Sequence, residues 1–282
     1  MDTVESLVRG SIDMHVHHAP DAHIKRSVDA LQVALQAEKA GMRAIVLKSH
    51  DYPTAPLASI VSRSVDSVSV FGSLCLDFAT GGLNVSAVEV SALLGAKVVW
   101  MPTFSAAFEM EKKGETGKGI TILDEKGEIL PVIRDILDII REHEMVLASG
   151  HISTEETFAL VDEALEKDVR RIVITHPLET GFGANLTIDE QRQLALKGAF
   201  IEHCFLTTMP SGDSLDPREI VKAIREIGAD HCILTTDFGQ EWNPTPAEGM
   251  KMMAAAYLKC GLSVEEIELM IKVNPARLLG LD

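Results

Sequence analysis

Two imidazoles stand two residues apart inside the first apolar run of the chain, in the stretch SIDMHVHHAPD. Side chains alternate along a strand, so His15 and His17 point the same way if this run is a strand, with Met14 and Val16 on the opposite face. Two nitrogens that share one face can converge on one metal ion. The pair therefore predicts metal-dependent chemistry, provided that the fold brings further ligands to the same place.

Three more candidate ligands each follow a later apolar run. His151 comes after VLASG, His176 after IVIT, and Asp237 after ILTT. Imidazoles with one carboxylate form the donor set that Zn²⁺ prefers, with Mn²⁺ or Fe²⁺ as alternatives, and Asp237 could also accept the proton of an activated water. A single His near a strand end is usually a satisfied polar residue. Together with the first pair, however, these residues indicate one shared site for one or two ions.

The elements that must position these residues are short apolar runs that alternate with helical segments. Segments such as VDALQVALQAEKAG, TEETFALVDEALEKD, TIDEQRQLALKG and DPREIVKAIREIG have the apolar spacing of helices packed on a sheet. Eight strands with intervening helices in 282 residues predict a single-domain (β/α)8 TIM barrel over residues 1–282, with a doubly wound open sheet as the alternative. The predicted strands are Ile12 to His17, Arg43 to Lys48, Val68 to Leu76, Lys97 to Met101, Met145 to Ser149, Arg171 to Thr175, Ala199 to His203 and Cys232 to Thr236.

One segment departs from this alternation. Between Ser105 and Pro131, the stretch KGITILDEKGEILP alternates around Glu125, Lys126 and Gly127 in the manner of a β-hairpin. We expect this hairpin to form a flap after strand four, above the mouth of the barrel.

Composition restricts the partners of the chain. A formal net charge of −16 disfavours nucleic acid and anionic membrane surfaces, and favours a small-molecule substrate. The sequence lacks a signal-peptide pattern and a membrane-spanning apolar run, so we expect a cytoplasmic protein. The four cysteines are far apart and predict free thiols. The oligomeric state, including a homo-oligomer, is left open.

The order of the candidate ligands resembles the amidohydrolase superfamily of metal-dependent barrel enzymes. Those enzymes carry H-x-H on strand one, His on strands five and six, and Asp on strand eight, and the closing VNPARLLGL is similar to an ending common in that superfamily. The resemblance implies that His15, His17 and Asp237 bind the more buried metal. It implies that His151 and His176 bind a second metal or, with one metal, divide between ligation and contact with the transition state.

The chain departs from that resemblance at strand four. Binuclear members place a bridging carboxylated Lys or a Glu there, whereas this chain has VVWMPTF. Lys48, at the end of strand two, faces inward if it shares a face with Ala44 and Val46. Three alternatives stay open for it: binding of a substrate carboxylate or phosphate, which we favour, carbamylation to bridge two metals, or a strand-end side chain that reaches solvent.

Other polar and aromatic residues near the predicted mouth receive weaker assignments. We expect His50 and Glu202 to contact substrate together with Lys48, and Glu202 rather than His203 to face inward. A helix-facing ion pair is the open alternative for Glu202, because the sequence does not fix the strand register to one residue. Asp13 shares the predicted inward face with His15 and either orients a ligand His or packs at the barrel floor. The first-loop residues are interpreted as solvated; they are His18, Asp21 and His23. Some aromatic residues at strand or loop ends are expected to line the pocket, and the candidates are Trp100, Phe104, Phe182, Phe238 and Trp242.

The favoured function is metal-dependent hydrolysis of an amide, cyclic amide, lactone or ester bond, with Asp237 and His176 as catalytic residues. Metal-dependent decarboxylation of a small acidic substrate is the alternative, because a cation on strand two could hold such a substrate. A metal-binding barrel without catalysis is the non-enzyme alternative.

Overall fold

Eight parallel strands form one sheet in which each strand pairs with its successor in the sequence. The fold is taken from a computed structural model that describes residues 3–281. The sheet closes on itself, because the amide of Asp237 donates to the carbonyl of His15 at 3.0 Å and the amide of His17 donates to the carbonyl of Phe238 at 2.8 Å. The predicted (β/α)8 barrel is therefore confirmed. Its strands are β1 (Ile12–His17), β2 (Ala44–Lys48), β3 (Ser69–Cys75), β4 (Ala96–Trp100), β5 (Val146–Ala148), β6 (Ile172–Ile174), β7 (Phe200–Cys204) and β8 (Cys232–Thr235).

Helices surround the sheet, and local sequence signals fix where several of them begin. The N-cap residues Asp29, Ser153, Thr187 and Ser263 each form a capping box, in which side chain and backbone satisfy each other's free donors. The helices are α1 (Thr3–Val8), α2 (Ala30–Ala40), α3 (Ala55–Val61), α4 (Val85–Leu93), α5 (Ala107–Lys112), α6 (Pro131–Glu142), α7 (Thr154–Glu166), α8 (Ile188–Leu196), α9 (Pro217–Ile227), α10 (Pro246–Lys259), α11 (Val264–Glu268) and α12 (Asn274–Leu279). Short 3₁₀ turns cover Ser62–Ser64, Phe78–Thr80, Phe205–Thr208 and Ala229–His231, and a π-helical segment covers Leu269–Val273.

Alternation of side chains along most of the strands separates two apolar cores. The barrel interior contains Ala44 and Val46 of β2 and Val98 and Trp100 of β4, whereas the residues between them pack with the helices. In β7, Phe200 belongs to the interior cluster and Ile201 to the helix-facing cluster. Toward the carboxyl ends of the strands, the next inward-facing positions lie above the apolar interior. Polar side chains at these positions can face one another and form a site.

A bulge in β1 changes which of its residues face inward. Asp13 pairs with Ile45 but Val16 pairs with Leu47, so β1 has one residue more than β2 over this interval. Met14 consequently lies in the interior cluster, below His15, and its predicted helix-facing position is wrong. Asp13 does not share the inward face of His15; its carboxylate accepts from the amide and hydroxyl of Thr236 at 3.1 and 2.5 Å.

The segment after β4 is compact and partly helical. It contains α5 and one isolated antiparallel bridge between Leu123 and Ile129, instead of two paired strands. Ile122 is buried, and its amide donates to the carboxylate of Glu156 at 3.0 Å, which ties this segment to α7. The predicted hairpin flap is not confirmed.

Two further features concern the chain as a whole. Cys75, Cys204, Cys232 and Cys260 are free thiols, as predicted. Over residues 3–281, none of the helices combines the length and the apolar character needed to cross a membrane.

Candidate metal centre and active site

Three potential ligands meet at the carboxyl end of the barrel. Nε2 of His15 lies 3.1 Å from Oδ1 of Asp237, and Nε2 of His17 lies 3.0 Å from the same oxygen. All three side chains are buried. β1 and β8 are neighbours at the closure of the barrel, which explains why residues far apart in the sequence converge here.

The donor set and its spacing fit a divalent metal. Two ligands of one tetrahedral zinc ion lie about 3.3 Å apart, because each bond is about 2.0–2.1 Å long. Burial alone would lower the pKa of His15, but the carboxylates of Asp237 and Glu202 outweigh it and raise that pKa to about 9. His15 therefore carries a positive charge near pH 7, and a metal ion bound through Nε2 would replace the proton on that nitrogen.

Arg26 places a positive charge beside the three potential ligands. Its guanidinium donates to Nδ1 of His17 at 3.3 Å, and it forms a buried ion pair with Asp21 at 2.6 Å. Burial and the charge of Arg26 lower the pKa of His17 well below its ordinary value. Nδ1 of His17 accepts this hydrogen bond, so the single proton of the neutral ring lies on Nε2. A metal can bind Nε2 only if the proton moves to Nδ1, and Arg26 must then release its contact with Nδ1.

The two other predicted ligands form a pair in the same cavity. Nε2 of His151 lies 3.2 Å from Nε2 of His176, and the ring of His176 lies 6.1 Å from that of His15. Burial lowers the pKa of both rings, to about 4 for His176, so both are neutral and able to ligate. Glu179, also buried, approaches Nδ1 of His176 at 3.2 Å. Burial raises the pKa of Glu179 well above its ordinary value, which favours a protonated carboxyl group that can donate to Nδ1 and leave the proton of the neutral ring on Nε2, facing the cavity.

Unusual backbone geometry holds several of these residues. His176 and Asp237 have positive φ angles of 26° and 56°, which non-glycine residues rarely adopt and which commonly occur at functional sites. Gly150, which precedes His151, has a φ of 61°, and a Cβ atom there would lie 2.3 Å from the carbonyl oxygen of Met101. Only glycine fits this position, where the chain turns from β5 toward the site.

Lys48 points into the centre of the site. Its Nζ lies 2.9 Å from Nε2 of His15 and 5.0 Å from the centre of the Trp100 ring, and the residue is only 1% exposed. The alternative in which Lys48 reaches solvent is therefore wrong. In the described range 3–281, none of the carboxylates forms an ion pair with it, so its charge is left for a ligand or a modification.

Glu202 faces inward, whereas His203 faces the helices. One oxygen of Glu202 lies 3.2 Å from Nδ1 of His15 and accepts from the hydroxyl of Thr235 at 3.0 Å. Glu202 lies behind His15 and does not line the two cavities described below. This contact favours orientation of His15, while the predicted contact of Glu202 with substrate stays a prediction.

His50 belongs to a hydrogen-bonded chain at the ends of β2, β3 and β4. Its Nδ1 lies 2.6 Å from the hydroxyl of Thr103, and that hydroxyl donates to Oδ2 of Asp77. The amides of Thr103 and Ser105 each donate to Oδ1 of Asp77 at 2.9 Å. The ring of His50 stacks on Phe104 with centroids 4.0 Å apart.

The site opens through two adjacent cavities that share part of their lining. The deep one has a volume of about 50 Å³ and the outer one about 580 Å³. Ile24, His50, Phe104 and Phe182 line both. The deep cavity is also lined by His17, Arg26, Lys48, His151, His176, Glu179, Leu206, Asp237 and Gln240, and the outer one by His23, Asp77, Phe78, Ala79, Ser105 and Lys113.

The aromatic residues predicted to line the pocket divide clearly. Phe104 and Phe182 do so, and Trp100 lies beneath Lys48. Phe238 packs in the helix-facing core, and Trp242 is exposed and away from both cavities.

The first loop is less solvated than predicted. His18 is buried, and the carboxylate of Asp21 is buried against Arg26. His23 is largely exposed, as expected, and pairs with Asp51 at 3.0 Å.

Sequence reasoning missed four residues of the site: Arg26, Asp77, Thr103 and Glu179. Asp77 is the second residue after β3, in SLCLD, so the rule that selected polar residues at strand ends could have found it. Arg26 and Glu179 lie in loops whose path the sequence does not define.

The fold and these donors together define a (β/α)8 barrel with a candidate metal centre at the carboxyl ends of its strands. A family model described as "Family of unknown function (DUF6282)" matches residues 10–202, and the chain belongs to that family. No curated protein matches the chain.

Solved structures with the same fold include enzymes. An amidohydrolase from Pseudomonas aeruginosa is 12% identical, with a TM-score of 0.66 and coverage of 99% of this chain and 98% of that chain. A lactonase from Listeria monocytogenes is 13% identical, with a TM-score of 0.59 and coverage of 98% and 95%. A 2,6-dihydroxybenzoate decarboxylase is 13% identical, with a TM-score of 0.57 and coverage of 96% and 99%. These likenesses are to the fold.

Proposed function

We propose that this protein is a metal-dependent hydrolase that acts on an amide, cyclic amide, lactone or ester bond of a small molecule. The observation that carries the proposal is the convergence of His15 and His17 on one oxygen of Asp237, at 3.1 and 3.0 Å. The chain has the same barrel fold as an amidohydrolase and a lactonase, which supports hydrolysis as the class of reaction.

Zn²⁺ is the metal we propose, held by His15, His17 and Asp237. A bound divalent cation supplies Lewis-acid chemistry, because it lowers the pKa of water and polarises a carbonyl group. The second pair, His151 and His176, either ligates a further ion or contacts the reacting carbonyl.

Asp237 is the proposed proton carrier. Burial would raise the pKa of its carboxyl group, but the neighbouring His15 and His17 outweigh this and lower it well below the ordinary value. Asp237 is therefore ionised and able to take the proton of the attacking water, and it can return that proton to the leaving amine or alcohol. His176, neutral and facing the deep cavity, can donate a hydrogen bond to the carbonyl oxygen as negative charge develops there.

Decarboxylation of a small acid is the second candidate. Two buried cations, Lys48 and Arg26, line the deep cavity, and the decarboxylase named above has the same fold. Release of CO₂ from an acid, with the ester, lactone and amide panel unchanged, would favour this candidate over hydrolysis.

The proposal is tested by separate replacement of His15 and His17 with Ala. Each change should strip zinc and activity together, because two remaining ligands bind zinc weakly. The measurements are elemental analysis of the purified protein and hydrolysis of a panel of lactones, esters and amides.

His143→Ala, a half-buried histidine at the end of α6, is the matched control and should keep both properties. Circular dichroism checks that the variants fold. Full zinc content in both site variants would overturn the metal assignment.

A further inference from the structure

The hydrogen-bonded chain behind His50 fixes which nitrogen of that ring carries the proton. Asp77 accepts from two amides and from the hydroxyl of Thr103, and the hydrogen bonds that it accepts lower its pKa despite burial. An ionised carboxylate has only acceptors, so the single hydroxyl proton of Thr103 points to Asp77. The oxygen of Thr103 must then accept from His50, and the proton of His50 lies on Nδ1.

The other nitrogen of His50 consequently presents a lone pair to the substrate site. His50 lines the deep cavity together with the cations Lys48 and Arg26, which disfavour a further positive charge on its ring. Stacking on Phe104, with a centroid distance of 4.0 Å, and on His17, at 5.1 Å, holds the plane of the ring. His50 lines both the deep and the outer cavity, so its acceptor is available where the two meet.

The remaining walls have two contrasting characters. The deep cavity carries the unpaired charge of Lys48 and the guanidinium of Arg26, whose Nη1 is buried and has no hydrogen-bond partner in the described chain. The outer cavity is lined mainly by apolar groups, among them Ile24, Phe78 and Phe182. An anionic group thus fits the inner end and an apolar body the outer end.

We propose that the substrate is an apolar acid that also carries a hydroxyl or N–H group: its acidic group lies near Lys48, its body fills the outer cavity, and its donor faces Nε2 of His50. This inference rests on the proposed function, since it defines the substrate class of the same site. Thr103 and Asp77 are positioning residues, because they act on the substrate only through His50.

Benzoate and its three monohydroxy isomers are suitable probes, with isothermal titration calorimetry of the zinc-loaded protein as the measurement. At least one hydroxy isomer should bind about five- to tenfold more tightly than benzoate, which is the usual effect of one additional hydrogen bond. Benzyl alcohol, which lacks the charge, should bind more weakly than benzoate.

Variants separate the roles of the two side chains. His50→Leu should abolish the advantage of the hydroxyl group with little change for benzoate, whereas His50→Gln, which keeps an acceptor, should restore part of it. A merely structural role for His50 would weaken all four acids equally. Lys48→Met should weaken the acids and leave benzyl alcohol unchanged.

The proton position is measured directly by ¹⁵N NMR of the His50 ring, which should show the proton on Nδ1, and Thr103→Val should release this preference. A proton on Nε2, equal affinity for all four acids, or no saturable binding by any of them would overturn the proposal. Zinc content and hydrolysis are measured separately, so loss of the hydrolase assignment with intact acid selectivity is distinguishable from the reverse.

Discussion

Lys48 places a cation beside the side chains that are suited to bind another cation. Its Nζ is 2.9 Å from Nε2 of His15. At such a distance two positive charges repel strongly unless an anion lies between them or the amine is modified. The role of Lys48 is therefore decided by which anion accompanies it.

Lys48→Met should raise KM about tenfold or more and leave the zinc content unchanged, because the lost charge holds the substrate and not the metal. Lys251→Met, on the exposed face of α10, is the control and should change neither quantity. The measurements are steady-state kinetics and elemental analysis.

Loss of one zinc ion in Lys48→Met, with reconstitution of the unmodified protein promoted by bicarbonate, would point to carbamylation instead. Normal kinetics together with normal zinc content would contradict both roles.

At the scale of elements, the strand ends deliver the site residues, and one glycine shows how tightly they are held. Gly150 turns the chain after β5, with a φ of 61° and no room for a Cβ atom beside the carbonyl of Met101. His151 follows directly, so its ring position depends on this turn.

Gly150→Ala should lower the free energy of unfolding by about 2–4 kcal/mol, because backbone strain and a steric clash add together. It should also reduce activity through displacement of His151. Gly95→Ala tests strain alone, since Gly95 has a φ of 86° and nothing within 4 Å of a Cβ atom, and it should cost about 1 kcal/mol. Urea denaturation measures both; equal stability of the two variants would show that the clash relaxes without cost.

Much of this arrangement was predictable from the sequence, and the reasons differ between elements. The eight strands are visible because each is a short apolar run, and β1 was placed at its observed limits, Ile12–His17. Placing polar residues at strand ends brought His151, His176 and Asp237 together with β1. The predicted inward position of Asp13 was wrong because the prediction assumed a regular strand with alternating side chains. The bulge in β1 arises from its pairing with β2, and the sequence of β1 alone does not reveal it.

The hydrogen-bonded chain of His50, Thr103 and Asp77 was not predictable for a related reason. Its members come from the ends of three different strands, and their contact depends on the shear of the closed barrel. The role of Arg26 likewise depends on the path of the first loop, because only its contact with Asp21 and His17 places it in the cavity.

For the whole molecule, buried neutral histidines make stability depend on pH. His203 is a clear case because it lies on the helix-facing side of β7, beside Cys232 and away from the candidate metal ligands. Burial lowers its pKa from 6.5 to about 4. Below pH 6.5 the unfolded chain takes up a proton that the folded chain does not accept until about pH 4, so the folded state loses stability across this interval.

When the pH is lowered from 7 to 5, the free energy of unfolding of the metal-free protein should therefore fall by about 2 kcal/mol more than that of the metal-free His203→Gln variant. The difference corresponds to about 1.4 kcal/mol for each pH unit below 6.5. The measurement is urea unfolding of both proteins at the two pH values. Each protein is compared with itself at pH 7, so the effect of the substitution on the free energy of unfolding at pH 7 cancels. Parallel losses in the two proteins would show that His203 titrates normally in the folded state.

The two buried cations of the deep cavity, Lys48 and Arg26, also link two binding equilibria. Both charges disfavour a divalent ion at His15, His17 and Asp237, and an acid that lies between them would neutralise this opposition. Linkage is reciprocal, so an acid that tightens zinc binding must itself bind more tightly when zinc is present, by the same factor. The proposed metal and the proposed acid should thus act as cooperative ligands: zinc affinity measured with benzoate in solution should exceed that measured without it, and most of the difference should vanish in Lys48→Met.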